Sequence, residues 1–149
     1  MPEKSKSEID QRGAAFHEAG HAVVARALGL LVGRVEIAIE GDDAKGAAEI
    51  EQSNALSLLD QLAICAAGLE AQKLFDAPTH EGAGWGDYGM MVELLDNLEE
   101  EEQMKMVHQG HERAFELIYT HRATVERLAM ALIQNNLLEA EEVAKLLTN

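Results

Sequence analysis

The chain has 149 residues, the size of one ordinary domain, and 47% of them are hydrophobic, which is enough for a core. Aromatic residues make up only 4%, so that core must be aliphatic and rich in alanine. The 27 acidic and 12 basic residues give a formal charge of -15, and such a surface repels nucleic acid and anionic membranes. We therefore expect neither as a partner.

Cysteine use and apolar run lengths indicate the compartment. The one cysteine, Cys65, lies in the apolar run LAICAAGL, where a small buried hydrophobic residue is expected and no internal disulfide can form. The N-terminal stretch MPEKSKSEIDQRG has no apolar segment like that of a secretory signal. No apolar run approaches the roughly 20 residues of a membrane span. We expect a soluble, cytoplasmic protein.

The first predicted element is a long helix. Ser7 followed by Asp10 is typical of a helix start, and apolar residues then recur at steps of three and four up to Leu28. Gly29 is a typical helix stop. Gly20 lies in the helix interior, where glycine costs about 1 kcal/mol, and it indicates some close approach there.

A hairpin and a second helix follow. Strict alternation in RVEIAIE (34–40) predicts a half-buried strand. GDDAKG (41–46) predicts a turn, and AAEIE (47–51) predicts a short antiparallel return strand. Either Ser53 or Asn54 is expected to cap the helix that comes next.

The remainder is predicted to be a glycine-rich loop followed by helices. The loop DAPTHEGAGWGDYG (76–89) is of a kind that is often functional, and helices are expected over about 100–120, about 122–134 and within EAEEVAKLL (139–147). The predicted fold class is mainly α (α+β), a helical bundle with a small antiparallel β-hairpin or sheet. We expect a single domain over residues 1–149 with residues 1–7 flexible.

The stretch FHEAGHAV (16–23) carries the chemistry. His17 and His21 are four residues apart, so in a helix they point the same way about 6 Å apart along the axis and can reach one ion. Glu18 is rotated by about 100°, which suits a general base acting on a water held by that ion. H-E-x-x-H is a known zinc signature. Histidine pairs at this spacing also occur by chance, so a third ligand is needed.

The third ligand stays open on spacing alone. A pattern of the metzincin type would need glycine at 24 and histidine at 27, where this chain has Val24 and Ala27, so that class is excluded. Glu70 on the second predicted helix, His80 in the glycine-rich loop and Asp87 at the end of that loop are all candidates.

The motifs resemble one family. AAFHEAGHAVVARAL is similar to the zinc-binding helix of the FtsH-type ATP-dependent metallopeptidases, and GRVEIAI with KGAAEIE to their paired strands. LAICAAGLEAQKLF resembles their A-G-R-x-A-E helix, and GWGDYGMM their glycine-rich turn that ends in an aspartate ligand. HRATVERLAMALIQNNLLEAEEVAKLL resembles their C-terminal helices. The resemblance covers nearly the whole chain after residue 8, in order.

This resemblance implies a zinc metallopeptidase that hydrolyses peptide bonds in flexible or unfolded polypeptides. It implies that His17, His21 and Asp87 bind Zn²⁺, that a water takes the fourth position and that Glu18 is the general base. The strand around Ala48, Glu49 and Ile50 is our hypothesis for the substrate-binding edge, because an extended peptide can add to a sheet as a further strand.

Departures from the family open alternatives. The ATPase module, its G-x-x-x-x-G-K-[ST] loop and the membrane anchor are absent from this sequence, so we expect ATP-independent activity. Leu69 stands where the family usually has arginine, Gln72 where it often has glutamate, and the segment over 98–104 is shorter. A catalytically silent binding or regulatory module that acts with a partner protein is the alternative function, and hydrolysis of a non-peptide amide is a third. A homo-oligomer and a separate ATPase that delivers substrates both stay open.

Overall fold

The computed structural model describes residues 6–40, 43–52, 55–78 and 85–148. Within these ranges the helices are α1 (Lys6–Ala27), α2 (Leu58–Leu74), α3 (Trp85–Leu95), α4 (Glu100–Thr120), α5 (Arg122–Asn135) and α6 (Ala140–Leu147). The strands are β1 (Val32–Glu40), β2 (Asp43–Ile50) and β3 (Leu137–Leu138). The predicted mainly α, α+β fold is confirmed.

The first helix is close to its prediction at both ends. It begins at Lys6, inside the tail predicted to be flexible, of which residues 1–5 lie outside the described part. Gly29 adopts a φ of 91°, a left-handed conformation that favours glycine. The Leu30 N–H then donates to the Ala25 carbonyl at 3.0 Å, which caps the end of α1.

The sheet has three antiparallel strands in the order β2-β1-β3. The prediction of a turn over 41–46 was wrong in extent, because Asp43 already pairs with Glu40 and β2 starts there. Polar residues can extend a strand because the ladder is made by backbone groups. The two-residue strand β3 was not predicted, and its Leu138 pairs with Val35 of β1.

The start of α2 differs from the prediction. Ser57 is the N-cap, and its Oγ accepts a hydrogen bond from the Asp60 N–H at 3.1 Å. The expected caps Ser53 and Asn54 lie outside the described residues, several positions before the helix. Serine satisfies the first unpaired N–H groups of a helix only from the position directly before it, and Ser57 occupies that position.

One core joins the helices to the sheet, and α1 packs against α2, α5 and both long strands. It is aliphatic and alanine-rich, as composition predicts; its largest fully buried side chains are Phe16, Leu62, Ile118, Leu128, Leu132, Leu138, Val24, Val35, Val125 and Val143. Within the described ranges, no helix combines the length and apolar character that crossing a membrane requires.

The contact between α1 and α2 is very close at Gly20. A Cβ added there would lie 2.6 Å from the Ala67 carbonyl oxygen and 2.7 Å from the Ala71 Cβ. Only glycine allows this separation, as the interior position of Gly20 predicted. The two helix backbones therefore touch within one turn of His17 and directly beside His21.

Replacing Gly20 with alanine should lower the free energy of unfolding by about 1–3 kcal/mol, because the added methyl group overpacks the contact with α2. Urea unfolding followed by circular dichroism measures this change. Gly89→Ala is the matched control, since a Cβ there meets nothing within 4 Å and alanine favours a helix by up to about 1 kcal/mol. Equal stability of the two variants would contradict the close contact.

Candidate metal centre

Three side chains from two helices converge on one point. The Asp87 Oδ2 lies 2.8 Å from the His17 Nε2 and 3.1 Å from the His21 Nε2. The two Nε2 atoms are 3.1 Å apart. Both histidines are 8% exposed, and Asp87 is half-buried. These three residues could hold a metal ion, and no other such group occurs among the described residues.

The outer nitrogen of each ring is anchored by a hydrogen bond. The His17 Nδ1 donates to the Gln72 Oε1 at 2.6 Å, and the Gln72 Nε2 donates in turn to the Ala77 carbonyl at 2.9 Å. The His21 Nδ1 donates to the Ile64 carbonyl at 2.7 Å. Since each Nδ1 carries a proton, each ring directs its Nε2 towards the centre.

The donor set fits a divalent cation. Two imidazole nitrogens and a carboxylate oxygen are ligands that Zn²⁺ commonly takes, and the ligand atoms of a tetrahedral zinc ion lie about 3.3 Å from one another. The separations of 2.8–3.1 Å are only slightly shorter. Three electron-rich atoms at this distance repel one another unless a positive charge lies among them.

The pKa values of Asp87, His21 and Glu18 also depend on one another. Burial alone would raise the pKa of Asp87, but hydrogen bonds with His17 and His21 outweigh it and hold the pKa well below its usual range. Burial alone would lower the pKa of His21, but the hydrogen bond and charge of Asp87 raise it. Burial raises the pKa of Glu18, against the opposing charges of His21 and His17.

Local sequence explains how α2 and α3 complete the centre. A Cβ on Gly68 would lie 2.5 Å from the His17 ring, so glycine lets α2 pass directly beside that ring. Asp87 lies in the first turn of α3, where a negative charge is favoured by the helix dipole. The sequence predicts Asp87 within the glycine-rich loop over 76–89, whereas α3 already begins at Trp85.

The other two candidates for the third ligand do not join the group. Glu70 is buried, but its Oε2 lies 2.9 Å from the His111 Nδ1 and 3.2 Å from the Lys73 Nζ. Burial alone would raise the pKa of Glu70, but these two hydrogen bonds lower it. His80 lies outside the described residues. The pair of Glu70 and His111 was missed because 41 residues separate its members and no short-range pattern connects them.

A cavity of about 610 Å³ adjoins the centre, with Glu18, His21 and Asp87 in its wall. Such a volume is typical of ligand-binding pockets. The Glu18 carboxylate therefore faces the same space as two of the convergent residues. Cys65 also lines the cavity, but burial raises the pKa of its thiol to about 11, so it stays protonated at neutral pH.

The predicted substrate-binding strand borders this cavity. Ala48 and Ile50 line it, whereas Glu49 does not, and the Glu49 carboxylate lies 3.4 Å from the Arg34 Nε instead. This division follows from the alternation of side chains along β2. The sequence proposed the three residues together, and the structure places two of the three side chains in the cavity wall.

The backbone of β2 alternates as well. The Glu51 N–H donates to the Leu31 carbonyl at 2.9 Å, towards β1. Since neighbouring residues of a strand turn their backbone groups to opposite sides, Ala48 and Ile50 turn theirs to the outer edge. β2 is an edge strand among the described strands, and its residues Ala48 and Ile50 also line the cavity.

Comparison with known proteins does not assign a family. No protein-family profile matches the chain, and a search of the curated proteins found no relative. The resemblance to FtsH-type peptidases therefore stays a prediction from motifs. The site itself combines two anchored imidazoles, one carboxylate, a buried glutamate and an adjoining cavity.

Replacing Asp87 with alanine should weaken zinc binding by more than about 100-fold, because even partners outside the ligand set contribute 10–100-fold. Calorimetric titration with a competing chelator measures this, and the wild type should bind about one zinc per chain. Asp96→Ala is the matched control, since Asp96 is exposed and outside the convergent group. Unchanged affinity in Asp87→Ala would remove Asp87 from the ligand set.

Replacing Gln72 with alanine should lower zinc affinity by about 10–100-fold, because His17 loses the acceptor that fixes its ring. Gln72→Glu keeps an acceptor at the same reach and should retain binding. The same titration measures both variants, with Gln134→Ala on the exposed side of α5 as control. If alanine and glutamate at position 72 gave equal affinities, the hydrogen bond would have no role in binding.

Proposed function

We propose that this chain is a zinc-dependent metallopeptidase that hydrolyses peptide bonds in flexible or unfolded polypeptides. The observation that carries the proposal is the convergence of His17, His21 and Asp87 beside Glu18 at the wall of one cavity. Three protein ligands with a position left for water distinguish catalytic zinc sites from structural ones, which use four. The motif resemblance to FtsH-type peptidases supports the same function.

The chain's own residues would hold the metal in a fixed orientation. His17 and His21 would bind through Nε2, because their Nδ1 atoms are committed to Gln72 and to the Ile64 carbonyl. Asp87 would supply a negative charge that offsets half of the charge of the ion. A bound Zn²⁺ supplies polarisation of a carbonyl and lowers the pKa of water towards about 7.

Glu18 is suited to carry protons. It is 8% exposed, and burial raises the pKa of its carboxyl above the usual range, which makes its carboxylate a stronger base. In peptide hydrolysis Glu18 would accept the proton of the attacking water and deliver it to the leaving amine. One residue can do both because it faces the cavity in which the peptide bond would lie.

The β2 edge supports a peptide as the substrate. An extended peptide can pair with the outward backbone groups of Ala48 and Ile50, as strands add to an open sheet edge. Such pairing requires an extended backbone, which flexible or unfolded segments can adopt and folded helices cannot. It also recognises main-chain groups, so it accepts many sequences.

Replacing Glu18 with glutamine should lower the rate of hydrolysis by about 10²–10⁴-fold, because the amide cannot accept the proton. Cleavage of a fluorescently labelled unfolded protein by the zinc-loaded chain measures the rate. Glutamine preserves the size and shape of the side chain, so bound zinc, determined by elemental analysis, should be unchanged. Glu116→Gln, on the exposed side of α4, is the matched control and should keep full activity.

Two outcomes separate the proposal from the alternative. Activity that is lost in Glu18→Gln, removed by a chelator and restored by zinc supports the metallopeptidase. A zinc-loaded wild type that cleaves nothing, with Glu18→Gln indistinguishable from it, would overturn the enzymatic function and leave the binding or regulatory module.

A further inference from the structure

The acidic residues that line the cavity are not balanced by basic ones. Among the described lining residues, the wall contains the carboxylates of Glu51 and Glu93 besides Glu18 and Asp87, and no lysine or arginine. A divalent ion at the centre would balance Glu18 and Asp87. Glu51 and Glu93 would then remain as two uncompensated negative charges. The cavity is therefore acidic even when the metal is in place.

The rest of the wall is mainly aliphatic. Its larger apolar side chains are Leu30, Ile50, Leu56, Ile64, Met90 and Leu94. Walls of low polarisability focus the field of nearby charges into the space between them. The cavity thus offers an apolar surface for one part of a ligand and a negative potential for another part.

The two uncompensated carboxylates lie on different walls. Glu51 directly follows β2, and its Oε1 accepts a hydrogen bond from the Leu31 N–H at 3.1 Å, which keeps the carboxylate near the strand end. Glu93 lies on α3, three residues from Met90 and next to Leu94. Both side chains are exposed, so they can meet a ligand without prior rearrangement.

We propose that the cavity selects peptides in which a large apolar residue is flanked by lysine or arginine. The choice of a peptide as ligand rests on the proposed function. Lysine and arginine can lay their aliphatic stems on the apolar wall and place their charged ends near Glu51 and Glu93. The whole-chain charge of -15 acts in the same direction and disfavours acidic segments.

The test uses three labelled synthetic peptides that share a central leucine and differ only in flanking lysines, glutamines or glutamates. Binding to the zinc-loaded Glu18→Gln chain is measured by fluorescence anisotropy, because this variant should hold peptides without cutting them. Affinity should fall in the order lysine, glutamine, glutamate, by about three- to tenfold at each step, as exposed charge pairs contribute modestly. Added salt should reduce the differences in affinity between the three peptides.

The double change Glu51→Gln and Glu93→Gln should level the three affinities. The glutamine at 51 keeps the oxygen that accepts from Leu31, so the strand end should stay in place. Glu116→Gln with Glu126→Gln removes the same total charge from exposed helix positions outside the cavity wall and should preserve the order. Equal affinities in the parent chain, an order that survives the 51/93 change, or no binding of any peptide would each overturn the inference.

Hydrolysis by the wild type separates this inference from the proposed function. Cleavage of all three peptides with the same kcat/KM would overturn the selectivity and leave the peptidase standing. Charge-ordered binding together with no cleavage by the zinc-loaded wild type would support the selectivity and overturn the peptidase.

Discussion

The arrangement of the site depends on the repulsion between three electron-rich atoms, two imidazole nitrogens and one carboxylate oxygen. No neutral group can relieve this repulsion. The His17 Nε2, His21 Nε2 and Asp87 Oδ2 lie within 3.1 Å of one another, and the hydrogen bonds at the far sides of the rings keep the rings from turning away. A proton or a cation must lie among these atoms for the arrangement to be stable. The folded protein therefore requires a positive charge at this point.

Helix α2 holds the two imidazole rings in position but contributes none of the three converging side chains. It provides Gln72 and the Ile64 carbonyl as acceptors, and Gly68 as a space for the His17 ring. It can do so only because Gly20 lets its backbone touch α1. The small residues along this contact explain why so much of the core is alanine, while Leu62, Ile118 and Leu128 are among its largest fully buried side chains. The amide at position 72 keeps the acceptor role without adding a further negative charge beside His17, His21 and Asp87.

The spacing of residues along the sequence predicted those features that depend on a single helix. The shared face of His17 and His21 follows from helical geometry, and the α1 and α4 boundaries follow from glycine and from acidic residues at a helix start. Spacing could not choose between Glu70 and Asp87, because that choice depends on how α3 and α4 pack on α2, and only the motif resemblance favoured Asp87. Turn-forming residues occur along the whole stretch before α2. For this reason the start of β2 was predicted too late and the cap at Ser57 was missed. A strand of two residues, such as β3, is too short to show a periodic pattern. It forms through its pairing with β1.

The outer edge of β2 has a consequence for self-association. An unpaired edge strand can join the same edge of a second molecule and so begin aggregation. Glu49 and Glu51 are both exposed on this strand and its end, and antiparallel pairing of two copies would bring these carboxylates close to one another. Like charges facing across a strand pair are destabilising. These charges therefore disfavour pairing of two copies through the β2 edges, whereas the proposed pairing with a basic peptide would meet no such repulsion.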